Sequence, residues 1–272
     1  MTKSSRNDFD DLSSQKEPNI EVKPFVAETS IVRQIWGKAD TILFIFCGAA
    51  AEFSLNKAVD WLYFTGKLPS DPLGRLFSTV DYAKQIIYST ENGALKAIDK
   101  MSAIHNRVEI NRGQKIPDWA YRDVLYMLID YSIVAFELLE RKLNEVEKEE
   151  IFDVFKRVGL RMNIKYLPEN YTNWLIDRNL HMENNLAKSQ FTVDLFAQYK
   201  KHLGSFRYQI VLEGQKLILP TQIKKLLNSN SVSLLKPMIF IYKIARKIKL
   251  DKYLKIALIP PQYYDRIIAL DK

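Results

Sequence analysis

The sequence predicts an all-α fold in one large domain, and three features of the chain support that prediction. Its 272 residues are 47% hydrophobic, which is enough to bury a sizeable core. Apolar residues recur at spacings of three and four in one segment after another, which is the repeat of an amphipathic helix. The alternation typical of a half-buried strand is never sustained, and its best candidate, residues 206–212, fits a helix better.

Twelve segments have the helical repeat, and several begin with a recognisable start signal. Asp71 precedes Pro72, which places a capping side chain before a proline in the first turn. Pro117 and Thr221 give similar signals. The predicted helices span residues 31–37, 39–55, 72–88, 92–111, 117–143, 147–158, 168–185, 192–203, 205–213, 220–228, 231–249 and 261–270.

The first 28 residues differ in composition from the rest of the chain. They combine Ser, Asp, Glu, Lys and Pro with few apolar residues, so burial cannot offset the entropy lost on ordering. We therefore expect residues 1–28 to form a disordered polar tail and residues 29–272 to form the helical domain.

Composition also limits the compartment and the partners. The single cysteine, Cys47, excludes an intrachain disulfide and any cysteine-based zinc or iron–sulfur site. The longest apolar run stops at Glu52, well short of the roughly 20 residues that span a bilayer, and no signal-peptide pattern precedes it. We expect a reducing, cytoplasmic location. The formal charge is +8, but the basic residues are scattered and no nucleic-acid-binding motif accompanies them, so no nucleic-acid partner is predicted.

The most basic part of the chain is segment 232–255, where seven basic residues accompany one acid, Asp251. Apolar residues alternate with the bases so that a helix here would have one basic and one apolar face. Two interpretations stay open: a helix that lies on an anionic membrane surface, or an ordinary amphipathic helix packed on the core with its basic face in solvent. The seven bases are Lys236, Lys243, Arg246, Lys247, Lys249, Lys252 and Lys255.

His105 is the candidate functional residue, one of three histidines in the chain. Steps of three and four residues place it on an apolar stripe with Ile98, Met101, Ile104 and Val108, so its imidazole is predicted to point inward. A core histidine bonded to a backbone carbonyl would have the same pattern. A single inward imidazole suits haem, because the porphyrin supplies the equatorial iron ligands, whereas a zinc or two-histidine iron site would need nearly all the histidines to converge.

Arg75 and Thr79 form the second candidate element. They are four residues apart in the predicted helix 72–88 and share one face. The guanidinium can pair with a porphyrin propionate or polarise bound oxygen, and the hydroxyl can donate a hydrogen bond nearby. A surface arginine beside a helical threonine is the alternative.

The chain resembles the haem-b oxygenase family of latex clearing protein and MpaB, whose motifs it contains in the same order and at similar spacing. The resemblance runs from about Trp36 to Pro220 and is densest between residues 48 and 108. The motifs are Gly48-Ala-Ala-Ala, Asp71-Pro-Leu-Gly-Arg75 with Thr79, Gly93, and Ile104-His105-Asn-Arg-Val108.

This resemblance implies a helical fold that encloses one haem pocket. His105 would take the place of the axial iron ligand, and Arg75 and Thr79 would take the place of the polar pair on the opposite side of the haem. The family cleaves carbon–carbon double bonds of isoprenoid chains with molecular oxygen. The resemblance therefore predicts a haem-b-dependent oxygenase with an apolar, isoprenoid or lipid-like substrate.

Ser78, Ser102 and Glu109 stand where latex clearing protein has basic residues, and Arg107 is the nearest replacement. These differences leave open a haem-binding or haem-sensing protein without turnover on the same scaffold. A haem-free helical module that acts at membranes through segment 232–255 is the third interpretation.

Two downstream polar clusters lie in apolar surroundings. Tyr121 and Asp123 can line the pocket, and Arg178 with His181, three residues apart, can address a haem propionate. Structural salt bridges would explain the same residues. His181 is the second candidate for the axial ligand, whereas His202 lies at a predicted helix end and is expected to be exposed.

Overall fold

The computed structural model describes residues 23–66, 70–247, 265 and 271. Over these residues the secondary structure is eleven helices without a strand, together with two isolated β-bridges, Pro24 to Thr90 and Asn56 to Leu186. The predicted all-α class is confirmed, and residues 206–212 are helical.

The predicted segments 31–37, 39–55 and 72–88 match the observed helices to within one residue. The described helices are α1 (Ile31–Trp36), α2 (Ala39–Leu55), α3 (Asp60–Phe64), α4 (Pro72–Tyr88), α5 (Glu91–Arg112), α6 (Asp118–Leu139), α7 (Glu145–Arg161), α8 (Tyr171–Asn185), α9 (Gln190–Ile218), α10 (Thr221–Leu226) and α11 (Lys236–Lys247).

Some boundaries differ from the prediction for identifiable reasons. Helix α6 ends at Leu139 instead of residue 143, because a capping box formed by Asn144 and Glu147 starts α7 immediately afterwards. The predicted helices 192–203 and 205–213 are the two arms of α9, which bends at Gly204 (φ 74°, ψ 160°). The predicted helix 261–270 lies outside the described residues except for Asp265.

Helices α2 and α6 pack closely at the centre of the molecule. Gly48 permits this approach, since a Cβ there would lie 2.4 Å from the ring of the fully buried Tyr131. The Tyr131 hydroxyl donates a hydrogen bond of 2.8 Å to Glu52 on α2. The core around this contact is a continuous set of buried apolar side chains from α1, α2 and α4 to α8.

Local signals fix the helices that border the cavity described below. Asp71 accepts a hydrogen bond from the Gly74 amide at 2.8 Å, with Pro72 in the first turn of α4. The Thr90 hydroxyl caps α5 in the same way, and α5 ends at Gly113 in the left-handed region (φ 69°).

Core packing begins before residue 29. Phe25 and Val26, which fall in the segment predicted as a tail, are buried, and the Arg157 guanidinium donates to the Phe25 carbonyl at 2.9 Å. Two aromatic or β-branched side chains in sequence supply enough apolar surface to hold this short stretch on the core. Residues 1–22 lie outside the described part of the chain.

In the described ranges, none of the helices combines the length and the apolar composition that crossing a membrane requires.

Candidate functional site

A cavity of about 200 Å³ opens between α2, α4, α5 and α6, with α3 and one residue of α9 completing its wall. Arg75, Thr79 and His105 all line it. The rest of the lining is predominantly apolar and includes Phe46, Ala49, Ala50, Phe53, Trp61, Leu62, Leu76, Val124, Met127 and Leu128. The residues predicted from two separate motifs therefore meet at one apolar cavity.

The imidazole of His105 is held by its own helix. Its Nδ1 lies 2.9 Å from the Met101 carbonyl oxygen. Because a carbonyl can only accept, Nδ1 has the proton, and Nε2 has the lone pair of the neutral ring. Metal-binding histidines commonly have this arrangement, in which a backbone carbonyl orients the ring.

The environment of His105 favours the neutral imidazole. Burial lowers the pKa of His105 from its usual value of 6.5, and the charge of Arg75 lowers it further. A neutral ring is the form that can bind a metal ion. The predicted inward stripe holds for Ile98, which is fully buried, but not for Ile104, which is 44% exposed, so His105 lies near the edge of the core.

Arg75 is half-buried beside the cavity. Its guanidinium donates a hydrogen bond of 3.3 Å to the Ser78 hydroxyl, and among the described residues it forms no salt bridge with a carboxylate. Burial lowers the pKa of Arg75, but an arginine remains charged at neutral pH. A charged guanidinium on an apolar cavity can therefore pair with an anionic group bound there.

The Thr79 hydroxyl was predicted to donate a hydrogen bond at the site, but in the structure it donates within its own helix. This hydroxyl donates to the Arg75 carbonyl at 3.2 Å, one turn back in α4. This back-bonding is common for threonine inside a helix, where the carbonyl four residues earlier is the nearest acceptor. With its proton committed to this bond, the Thr79 oxygen can still accept a hydrogen bond.

Tyr121 lines the cavity, as the sequence predicted. Its ring meets His105 edge to face, with ring centroids 5.4 Å apart, and its hydroxyl donates to Glu109 at 3.2 Å. Glu109 also accepts from Lys115 at 2.8 Å and from the Ile116 amide at 3.0 Å. Glu109 follows His105 by one helical turn, and this spacing is the signal that could have linked it to the site.

The structure does not bring Arg178 to the cavity. The Arg178 guanidinium is buried and bonds both carboxylate oxygens of Glu52, at 2.5 and 2.6 Å, and Asp130 at 3.0 Å. The Arg178 guanidinium, predicted to address a haem propionate, is therefore paired with two carboxylates and is absent from the cavity lining.

His181 also lies away from the cavity. Its Nδ1 is paired with the buried Asp123, which accepts a further hydrogen bond of 2.8 Å from Asn56. Its Nε2 lies 3.4 Å from the Arg122 side chain and 3.6 Å from Asp177. With both nitrogens next to polar partners, His181 belongs to a structural cluster, and Asp123 faces that cluster instead of the cavity.

Arg107 and His202 do not line the cavity either. Arg107 is exposed on the outer face of α5, while His202 is half-buried on α9 instead of exposed as predicted. The helical position explains the placement of Arg107, which is two residues from His105 and so points away from it.

Helix α3, which forms one wall of the cavity, was not predicted from the sequence. Trp61 of α3 lines the cavity, and the Arg112 guanidinium lies 4.0 Å from its ring centroid. Arg112 also pairs with Asp60 at 2.6 Å. A helix of five residues is too short to have a periodic pattern, so no local signal predicted it.

The model of the family described as ER-bound oxygenase mpaB/B'/rubber oxygenase, catalytic domain, matches residues 35–173, which is just over half of the chain. The chain belongs to this family. The matched residues of the chain include Arg75, Thr79 and His105 but neither Arg178 nor His181. Comparisons with curated proteins and with solved structures found no match.

Membership in the mpaB/rubber oxygenase family supports an oxygenase-type function, with a small-molecule substrate and oxygen. The described residues include no group of three or more His, Cys, Asp and Glu side chains that could hold a metal ion. Among the described residues that line the cavity, His105 is the one histidine, and the lining contains no cysteine, aspartate or glutamate.

Proposed function

We propose that this member of the oxygenase family depends on haem b and oxidises an apolar, isoprenoid or lipid-like substrate. One observation carries the proposal: His105 on α5 and Arg75 and Thr79 on α4 line the same apolar cavity. His105 on one side and the pair Arg75 and Thr79 on the other lie on different helices, and the packing of α4 against α5 brings the two elements together.

The residues at the cavity fit haem in three respects. His105 has Nε2 as a lone-pair donor, because its Nδ1 is bonded to the Met101 carbonyl. The apolar lining suits a porphyrin face, and Arg75 suits a propionate or a charge that develops on oxygen. His105 would hold the iron, and the haem would supply the binding and reduction of molecular oxygen.

The chain's own contributions are binding, orientation and polarity. Phe53, Leu76 and Met127 provide apolar walls that exclude water and accept an apolar substrate. The Arg75 guanidinium stabilises negative charge on a reacting oxygen, since its charge is fixed and partly shielded from water. The Thr79 oxygen is held by its bond to the Arg75 carbonyl and can accept a hydrogen bond from a substrate hydroxyl or a water.

The first experiment measures haem directly. Purified protein is supplied with haem, and bound haem b is quantified by pyridine haemochrome and by the Soret band. We expect His105→Ala to lose most of the bound haem and His202→Ala, the control on α9, to bind as much as wild type. Haem bound equally by both variants would assign the iron to another residue, and the lack of a Soret band in wild type would refute haem binding.

The second experiment separates an oxygenase from a non-catalytic haem protein. Oxygen consumption is followed with polyprenyl or unsaturated lipid substrates. Replacement of Arg75 with glutamine should lower turnover by about 10²- to 10³-fold while haem content stays high, because one charge-stabilising donor is lost. Arg107→Gln removes an exposed arginine and should change nothing. Haem binding without oxygen uptake on any of these substrates would favour the haem-binding or haem-sensing alternative.

A further inference from the structure

The helix α11 and the residues just before it expose an unusual amount of apolar side chain. On α11, Phe240 is 69% exposed and Ile241 is 64% exposed, and Met238 and Ile244 are exposed to 54% and 46%. Val232 precedes the helix and is also exposed, as is Leu234. Contiguous exposed apolar surface of this kind marks a site of interaction.

The side of α11 that faces the protein is held by polar contacts. The Tyr242 hydroxyl donates to Asp40 at 2.9 Å, and the Arg246 guanidinium lies 3.2 Å from Asp40 and 2.5 Å from Glu140. An ordinary surface helix packs its apolar face on the core and turns its polar face outward. In α11 these polar contacts lie on the inner side, while Phe240, Ile241 and Ile244 are exposed, so this apolar surface is available to a partner.

The charge on α11 indicates what that partner is. Lys236, Lys243 and Lys247 are spaced by seven and four residues and so share one flank of the helix, between its inner and outer faces. None of the three forms a salt bridge with a carboxylate among the described residues, and residues 232–250 contain no acid. An apolar face bordered by lysines is the pattern of helices that lie in the interface of an anionic bilayer.

We propose that α11 together with Val232 and Leu234 binds the surface of an anionic phospholipid membrane. The exposed apolar side chains would enter the headgroup region, while the three lysines would meet the lipid phosphates. No described helix is long and apolar enough to span a bilayer, so this contact would be peripheral.

This membrane site is separate from the cavity. Glu140 at the end of α6 contacts α11, whereas Ala120 to Leu128 of the same helix line the cavity. At a rise of about 1.5 Å per residue, Leu128 and Glu140 are roughly 18 Å apart along α6, and on α2 the α11 partner Asp40 is roughly 9 Å from the cavity residue Phe46. The variants below change side chains of α11 and none of the residues that line the cavity. Variants of α11 should therefore leave haem binding unchanged, and the two proposals can fail independently.

The test uses the full chain and sucrose-loaded vesicles of phosphatidylcholine, either alone or mixed with phosphatidylserine. We expect co-sedimentation with the mixed vesicles only. The triple variant Phe240→Ser, Ile241→Ser, Ile244→Ser should abolish it. The triple variant Lys236→Gln, Lys243→Gln, Lys247→Gln should weaken the partition constant by about 100-fold, since each base contributes about fivefold at an anionic surface.

Matched controls come from α9, which has exposed residues of both kinds. Val193→Ser with Phe206→Ser removes exposed apolar side chains, and Lys200→Gln with Lys201→Gln removes exposed charge. Both controls should bind the mixed vesicles like wild type.

Several results would overturn the proposal. One is no binding to either vesicle; another is equal binding to neutral and anionic vesicles. Equal loss in the α9 controls would place the contact elsewhere. If light scattering shows a dimer that the apolar α11 variant dissociates, and vesicles do not bind, the face belongs to a second copy of the chain. Far-UV circular dichroism and haem content confirm that each variant is folded.

Discussion

Replacement of Arg178 with methionine should destabilise the protein strongly without acting through the cavity. The Arg178 side chain is 4% exposed and that of Glu52 is 1% exposed, and their two hydrogen bonds are 2.5 and 2.6 Å long. Methionine fills similar space but leaves the Glu52 carboxylate buried without its cation. Loss of one partner of a buried pair costs about 3–5 kcal/mol, so we expect the free energy of unfolding to fall by that amount.

A second substitution, at Glu52, should restore part of the lost free energy of unfolding. In Arg178→Met with Glu52→Gln the buried charge is removed, while the glutamine oxygen still accepts from the Tyr131 hydroxyl. Asp130 loses one partner but is 20% exposed and can reach water. The double variant should therefore be more stable than the single variant by about 2 kcal/mol, which is a coupling between residues in contact.

The assay is urea denaturation followed by far-UV circular dichroism, with Arg107→Met as control. The exposed Arg107 should change the free energy of unfolding by less than about 0.5 kcal/mol. The reasoning is refuted if Arg178→Met costs less than about 1 kcal/mol, or if the double variant is no more stable than the single one. A folded Arg178→Met protein that has lost its haem would instead return Arg178 to the cofactor site.

Three further predictions follow from local features. Gly48→Ala should lower the free energy of unfolding by about 1–3 kcal/mol, because its Cβ would lie 2.4 Å from the Tyr131 ring. In the control Gly214→Ala the new Cβ would lie 3.4 Å from the Cys47 sulfur, so this variant should be neutral or slightly stabilising in the same urea assay. Equal effects of the two substitutions would contradict this reasoning. Bound haem should be constant at neutral pH and fall only below pH 6.5, because burial lowers the pKa of His105. In the apo-protein the same shift should make the free energy of unfolding decrease as the pH falls below 6.5, since the unfolded chain takes up the proton first. An absorbance titration that shows haem loss above pH 7 would exclude this cause. Asn144→Ala breaks the capping box of α7 and should cost about 1 kcal/mol by thermal denaturation, and no change would show that the box is dispensable.

Membership of the oxygenase family and the helical class followed from the sequence because both depend on local patterns. The spacing of apolar residues sets the face of a helix, and Asp71 with Pro72 sets where α4 begins. The same spacing identified His105 as an inward candidate and placed Arg75 and Thr79 on one face of α4. These signals act within one or two turns, so they can be read without knowing the neighbours in space.

Pairing between distant segments was decided only by the tertiary structure. Glu52 and Arg178 are 126 residues apart in the chain, and nothing local indicated that α2 rather than a cofactor would hold that guanidinium. Arg178, His181 and His105 all lie in apolar stretches of the chain and so were all candidates, but Arg178 and His181 pair with buried carboxylates and do not line the cavity.

The polarity of α11 shows the same division most clearly. The sequence predicted a helix with one basic and one apolar face. The same residues were compatible with a helix on a membrane surface and with a helix whose apolar face packs on the core. Which face is buried depends on whether the body of the protein offers apolar side chains or carboxylates at that place. At this place the protein presents the carboxylates of Asp40 and Glu140. Tyr242 and Arg246 therefore contact the protein, and apolar side chains such as Phe240 are exposed to solvent. A sequence pattern fixes the faces of a helix, and only its packing partner fixes their direction.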